Sequence, residues 1–323
     1  MTTRCHLRGA AIAPDRLRLA AALGAFVLVL SCLTPAASAS AQPASNTQRF
    51  QSAADLIIRF EFDAAYDEFT QLREDLTTSD PRYRDACFGL AVAAQHRIPP
   101  QDEYIDQATE LYNEIIELNA TDELAARSMI NLGRILELRD YLGDPHRPDD
   151  AIAYYERVHQ NFPDRDIAHE AAFRQAGALI QQFDDPDDVP KGVAFLESWL
   201  KTHPDNPYAG GMHVYLYDYY RERDLEEDAL RHLIEGDRVG MPLPRVGEMY
   251  WQAAQLAEAV PDRLDVAIRF YTKTITDAVT SGRAYEAQLA LERLKREHPD
   301  AGIEIPELVF GVAEPGARTA PTP

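Results

Sequence analysis

Cysteine is scarce in this chain. Only three of the 323 residues are cysteines, and two of them, Cys5 and Cys32, lie in a segment with the features of a removable leader. Once that leader is cut off, Cys87 is the single cysteine left, within the apolar stretch 86–90. An intrachain disulfide is therefore excluded, and packing must stabilise the fold. We interpret Cys87 as a buried structural thiol.

Positive charge is also scarce, and lysine most of all. The chain has four lysines, and its 53 acidic residues outweigh 32 lysines and arginines to give a net charge of −21. The leader carries four arginines and one aspartate, so its removal makes the net charge −24. Phosphate backbones repel such an acidic chain, which argues against nucleic acid as a partner. We interpret the excess as a solvated acidic surface.

Catalytic and cofactor motifs are missing as well. No phosphate-binding loop, dinucleotide fingerprint or Gly-x-Ser-x-Gly elbow occurs. His169 and Glu170 match the first two positions of the His-Glu-x-x-His motif of zinc proteases. Phe173 occupies the position of the second histidine ligand, so the motif is incomplete. The acidic stretches 144–150 and 184–188 lack the glycine and the final glutamate of an EF-hand loop. We predict no catalytic residue, no cofactor and no metal site.

The N-terminus is organised like a secretory signal peptide. Four arginines precede the apolar run 19–30, and small residues follow it. The Ala-Ser-Ala tripeptide that ends at Ala41 fits the small-x-small cleavage rule, which places the mature N-terminus at Gln42. The alternative is cleavage before Cys32, because residues 29–32 resemble the lipobox of bacterial lipoproteins. We predict export to the periplasm or envelope of a bacterium, with no transmembrane span in the mature chain and an outer-membrane lipid anchor as the alternative.

Helical periodicity runs through the rest of the chain. Apolar residues recur every three or four positions in segments that come in pairs, and prolines or polar turns separate the segments. The last such segment, 284–297, has the charged outer positions of a capping helix. Residues 303–312 are apolar enough to pack on it. We predict four regions: a signal peptide at 1–41, a flexible linker at 42–49, a helical repeat domain at 50–300 and a largely disordered tail at 301–323.

One helix pair carries enough characteristic positions to name a family. Its first helix has a Leu-Gly step and a further leucine, its second has small, aromatic and apolar positions, and a proline closes it: Leu132, Gly133, Leu136, Ala151, Tyr155, Val158 and Pro163. With these residues the chain resembles the tetratricopeptide repeat (TPR) family. The resemblance implies an all-α, right-handed superhelical solenoid of antiparallel helix pairs. We expect about six pairs plus a capping helix, and a scaffold that binds proteins and is not an enzyme.

The turns within pairs depart from the family pattern. Between the small residues of the two helices the family has about twelve positions, whereas 133 to 151 spans eighteen and 177 to 192 spans fifteen. Insertions therefore lengthen these turns. The junctions 161–164 and 202–209 are similar to those of bacterial envelope TPR proteins of the BamD-like and cell-division-coordinator type.

In TPR proteins the first helices line a concave groove, and the resemblance implies the same here. Counting from the small residue of each first helix predicts these groove-facing positions: Arg127, Arg134, Glu137, Arg174, Gln181, Asp218, Arg221, Trp251 and Gln255. Four arginines there stand out in an acidic chain, and guanidinium groups suit carboxylates. We predict that the groove binds an extended peptide or partner protein in the cell envelope. The alternative is that neighbouring acids pair with these arginines inside the structure.

Two other functions stay open at this stage. A lipid-anchored, BamD-like subunit of an envelope assembly complex would carry an acylated Cys32. A hydrolase or metal-dependent enzyme would need a site within the long insertions. The aromatic run from Met212 to Tyr220 is interpreted as packing between helices, with a ligand-facing shelf as the alternative.

Overall fold

The computed structural model describes residues 45–138, 147–180 and 188–309. Within these ranges every regular element is a helix. The α-helices are α1 Asn46–Ile58, α2 Phe62–Asp75, α3 Tyr83–Gln95, α4 Asp102–Leu118, α5 Glu123–Leu138, α6 Pro148–Asn161, α7 Asp166–Ile180, α8 Asp188–Thr202, α9 Ala209–Arg221, α10 Glu226–Val239, α11 Val246–Ala259, α12 Leu264–Thr276 and α13 Ala284–Glu297. Two short 3₁₀ helices occupy Leu243–Arg245 and Pro299–Ala301.

The helices form two compact units, divided after Asn161. Unit 1 contains three helix pairs, α1 with α2, α3 with α4 and α5 with α6. Unit 2 contains three more, α7 with α8, α9 with α10 and α11 with α12, followed by the single helix α13. The described chain therefore confirms the predicted all-α, TPR-like arrangement of six pairs and a capping helix.

The first helix α3 is buried on more sides than its partner, the second helix α4. In α3, ten of 13 residues are buried, whereas α4 buries five of 17. The reason is that α3 packs on the first helices α1 and α5 as well as on α2 and α4. The buried residues of α4 follow the helical period and form one stripe: Ile105, Ala108, Leu111, Tyr112 and Ile115. Cys87 is fully buried in α3, as predicted, and burial raises the pKa of its thiol.

Glycine allows the close helix contacts that the TPR resemblance implies. A Cβ atom on Gly133 would lie 2.5 Å from Cε1 of Tyr155, so the ring occupies the space that a side chain would need. In unit 2 a Cβ atom on Gly210 would lie 1.9 Å from the carbonyl oxygen of Gly240, which is backbone. Small residues thus set the distance between the helices of a pair.

Both ends of the repeat domain differ from the predicted boundaries. Helix α1 begins at Asn46, inside the segment 42–49 predicted as a linker, because Ser45 caps it. The Ser45 backbone N–H donates to Oε1 of Gln48 at 2.9 Å, and the Gln48 N–H donates back to the Ser45 hydroxyl at 3.4 Å. This capping box is a local Ser-x-x-Gln pattern that the apolar periodicity does not reveal.

The tail packs on the repeat domain before the described chain ends. Ile303 is 4% exposed and joins the core cluster that contains Leu291 and Leu294 of α13. Ile305 and Leu308 are partly buried against the same cluster. The prediction of an apolar strip is confirmed for these residues, while residues 310–312 lie outside the described chain.

Candidate binding face

In unit 1 the predicted groove residues make contacts within the protein. Arg127 forms an i,i+4 ion pair with Glu123, and its side chain is 22% exposed. Glu137 accepts a hydrogen bond of 2.8 Å from the hydroxyl of Tyr155. Arg134 is only 6% exposed. The side chains of these three residues are therefore covered or paired within the protein, and they are less available to a ligand than the groove prediction requires.

Arg134 lies in a polar part of the core. The Tyr112 hydroxyl donates to Oε1 of Gln95 at 2.9 Å and accepts from the side-chain amide of Asn131 at 3.0 Å. Burial, followed by the nearby charge of Arg134, lowers the pKa of His96 to about 3. The guanidinium at position 134 is thus one member of a buried polar group in unit 1.

In unit 2, Arg174 forms a shielded ion pair on its own helix. Its Nε and Nη2 atoms donate to Oε1 of Glu170 at 3.0 and 2.8 Å, and the two side chains are only 13% and 11% exposed. For Arg127 and Arg174, pairing with acids inside the structure is what the described residues show. Gln181 and Cys32 lie outside the described residues.

The remaining predicted residues of unit 2 come together across consecutive first helices. We name this group the α9–α11 patch and define it by Asp218, Arg221, Arg245, Glu248, Trp251 and Arg283. Nη1 of Arg245 lies 3.3 Å from Oδ2 of Asp218, and Nε of Arg283 lies 2.9 Å from Oε2 of Glu248. The Arg283 guanidinium also lies 5.6 Å from the centre of the Trp251 ring. Gln255 is exposed one helical turn after Trp251.

Electrostatic coupling ties the carboxylates of the patch to its arginines. Partial burial raises the pKa of Glu248, but hydrogen bonds from Arg283 and Gln252 and the charges of Arg283 and Arg221 outweigh it, so the pKa lies below its ordinary value. Burial raises the pKa of Asp218 although Arg245 and Arg221 act against it. Arg221 therefore acts on both carboxylates without a direct ion pair to either.

Arg221 is the cation of the patch with the most unused hydrogen-bonding capacity. It is exposed and donates Nη1–H to the hydroxyl of Tyr217 at 3.1 Å. In the described part of the chain it forms no ion pair. A guanidinium has five N–H donors, so several of them point to solvent or to a ligand. Such available N–H donors are what an arginine needs in order to bind a ligand in the predicted groove.

Two arginines of the patch were missed by the sequence argument. Arg245 and Arg283 are the N-cap residues of α11 and α13, so they lie outside the helical segments on which groove positions were predicted. The sequence does contain a signal that could have identified them, because an arginine occupies the N-cap position of both helices. Beside them lies a half-open cleft of about 760 Å³, lined by Pro244, Val246, Gly247, Glu248, Asp277, Ala278, Thr280, Ser281, Gly282 and Arg283.

The aromatic run of α9 serves packing between helices, as interpreted from the sequence. Met212 and Tyr217 are fully buried. The Tyr215 ring stacks on Phe173 of α7 with centroids 5.0 Å apart. No group of three or more potential metal ligands occurs among the described residues. None of the helices in those ranges has the length and apolar character needed to cross a membrane.

No protein-family model and no curated protein matches this chain. Among solved structures, TPR proteins are similar to it, as the resemblance implied. PilW, a type IV pilus biogenesis factor, is 15% identical with a TM-score of 0.48, over 76% of this chain and 98% of that one. A TPR protein from Parabacteroides merdae ATCC 43184 is 13% identical with a TM-score of 0.42, over 78% of this chain and 92% of that one. Neither similarity identifies a binding partner of this chain.

Proposed function

We propose that this protein is an exported, non-catalytic scaffold that binds an extended segment of a partner protein on its first helices, with the α9–α11 patch as the main contact. The observation that carries the proposal is Arg221. It is exposed, it lacks an ion pair in the described residues, and its charge acts on Glu248 of α11, the helix that also carries the half-buried Trp251 and the exposed Gln255. Arg221, Trp251 and Gln255 supply the kinds of contact that an extended peptide needs.

The chemistry of the patch defines the kind of segment that fits. The guanidinium of Arg221 can donate to a carboxylate or to backbone carbonyls. Trp251 offers apolar surface, and the amide of Gln255 can donate and accept. Asp218 and Glu248 would repel a strongly acidic segment. We therefore infer a partner segment that combines an isolated acidic side chain with apolar neighbours, bound in extended form.

The structure also narrows the set of residues in this proposal. Arg134 and Arg174 are nearly covered and serve the protein itself. Arg127 and Glu137 have intramolecular contacts. The proposed contact residues are accordingly Arg221, Trp251 and Gln255, with Arg245 and Arg283 as cations that hold the patch together.

Site-specific crosslinking tests the proposal. A photoreactive amino acid at Gln255 is expected to capture a partner in bacterial envelope extract, whereas the same group at Glu227, on the second helix α10, is expected to capture none. Arg221→Glu should abolish capture at Gln255. The matched control is Arg269→Glu, which reverses an exposed arginine on the second helix α12. Equal capture at both positions, or undiminished capture by Arg221→Glu, would contradict the proposal.

The exported state has its own measurement. We infer a mature protein that begins at Gln42, and the intact mass of the protein purified from its native cell should match residues 42–323. A mass that corresponds to an acylated Cys32 would instead favour the lipid-anchored assembly subunit. A mass that retains the whole N-terminus would contradict export by cleavage.

A further inference from the structure

Two histidines form a buried pair between α9 and α10. Nδ1 of His213 lies 3.0 Å from Nδ1 of His232, and the residues are 8% and 4% exposed. At this distance one ring must donate its Nδ1–H while the other accepts with a lone pair. The contact is consequently possible with two neutral rings of opposite tautomer or with one protonated ring. Two protonated rings would point N–H groups at each other.

Protein atoms cover most of the pair. The Tyr220 ring stacks on His232 at a centroid distance of 5.3 Å and an angle of 8°, and the Tyr220 hydroxyl donates to Glu197 of α8. Nε2 of His232 is buried and has no hydrogen-bond partner in the described chain. A second proton on this ring would therefore be carried in a site without a partner for it.

The charges near the rings are mixed. Those that act on them are on α10: Asp228, Arg231, Glu235 and Arg238. Two acids of the preceding pair reach the site indirectly, Asp205 by its 2.7 Å ion pair with Arg238 and Glu197 by Tyr220. The other helices that pack on α9 or α10 hold acids in ion pairs, Glu170 with Arg174 on α7 and Glu248 of α11 with Arg283.

Burial dominates over these charges. It is the largest cause that lowers the pKa of both rings, to about 4 for His213 and to about 3 for His232. Glu235 and Asp228 act in the opposite direction but are offset by Arg231 and Arg238. Both imidazoles are neutral in the folded pair near neutral pH.

We propose that His213 and His232 form an acid-sensitive latch, in which the neutral pair holds α9 against α10 and protonation of both rings opens this helix pair. Opening would displace Asp218 and Arg221, which are on the last turn of α9, from the patch. The latch acts without a binding partner, so its test is independent of the proposed binding function.

The sign of the pH dependence follows from linkage. In the opened state each ring regains an ordinary pKa near 6.5, whereas the closed pair has much lower values. The latch is therefore at full strength above that ordinary value and weakens as the pH falls below it. From pH 7.5 to 5.5 the opening equilibrium should rise about tenfold for each ring, or about a hundredfold for both.

Hydrogen–deuterium exchange of the full mature chain tests this proposal. After correction for intrinsic rates, the amides of α9 and α10 should show that hundredfold rise between pH 7.5 and 5.5. The double variant His213→Asn/His232→Asn keeps a donor and an acceptor near the Nδ1 positions but cannot titrate, and it should lose the rise. Acid dependence in α3, which ends beside the half-buried His96, should persist in the variant and serves as the internal control.

The outcome that overturns the latch is equally definite. If α9 and α10 of the double variant keep the pH dependence of the wild type, the pair is not its cause. Should the variant fail to fold, NMR titration of the wild-type rings decides: both should stay neutral down to about pH 5. A ring that titrates near 6.5 while α9 and α10 remain protected would overturn the proposal.

Discussion

Helix α5 of unit 1 and helix α9 of unit 2 place the residue that follows the small position of a first helix in opposite environments. In unit 1 this residue is Arg134, which is 6% exposed. In unit 2 the same count leads to Asp218, half-buried and paired with Arg245, and one turn later to the exposed Arg221. Gly133 lets Tyr155 press against α5, whereas the large side chain of Tyr217 occupies the corresponding position in α9. The position of a residue in the helical repeat determines which face of the helix it occupies. The size of the neighbouring side chains determines how deeply it is buried.

The largest expected effect compares how each unit uses glycine. Gly210→Ala in unit 2 would place a Cβ atom against backbone, which cannot move without displacing a helix, so we expect a loss of about 3 kcal/mol in the free energy of unfolding. Gly133→Ala in unit 1 would meet the ring of Tyr155, which can shift, so we expect about 1–2 kcal/mol. Urea denaturation of the purified variants measures both losses.

Gly236→Ala is the matched control for these two variants. Its Cβ atom would meet neighbours at an ordinary 3.4 Å, so we expect no loss and a gain of up to about 1 kcal/mol from the helix propensity of alanine. Equal losses for all three variants would show that helical glycine as such, and not close packing, controls stability in both units.

The next effect separates the buried arginine of unit 1 from the exposed one of unit 2. Arg134→Ala removes a covered side chain from a polar part of the core, and we expect a loss of about 2 kcal/mol in the free energy of unfolding. Arg221→Ala should change it by less than about 0.5 kcal/mol while weakening partner capture. Thermal and chemical denaturation check the first part. Similar losses for the two variants would erase the distinction between the units.

An acid titration sharpens the comparison further. His96 in unit 1 has its pKa lowered to about 3, so its contribution is complete above its unfolded value near 6.5 and is lost as the pH falls below it. Between pH 7.5 and 5.5, His96→Asn should lose about 1.4 kcal/mol less unfolding free energy than the wild type. Parallel curves for wild type and His96→Asn would refute this account of His96.

The smallest effects are expected at surface ion pairs, and here the units should not differ. Arg127→Ala in unit 1 and Arg231→Ala in unit 2 each remove one partly exposed ion pair within a single helix. We expect each to cost less than about 0.5 kcal/mol and the cost to vanish in high salt, because solvent and ions screen such pairs. A loss above about 1 kcal/mol at either site would assign it a wider role in the fold.

Much of the architecture could be predicted from local patterns. The apolar period identified helix pairs, and the last helix was placed at 284–297, where α13 lies. The start of α1 was missed because a capping box, and not an apolar residue, defines it. In the patch, the sequence identified Arg221, but Arg245 and Arg283 escaped because cap residues stand outside the helical register.

The sequence by itself determined that this protein is helical and that its helices come in TPR-like pairs. Helical period and composition are local properties, so these conclusions needed no contact between distant residues. The tertiary structure determined which arginines of the first helices are exposed and can reach a ligand. Burial depends on the neighbours that packing supplies, so Arg134 became part of a core while Arg221 stayed exposed. It also brought His213 and His232, 19 residues apart, to within 3.0 Å of each other.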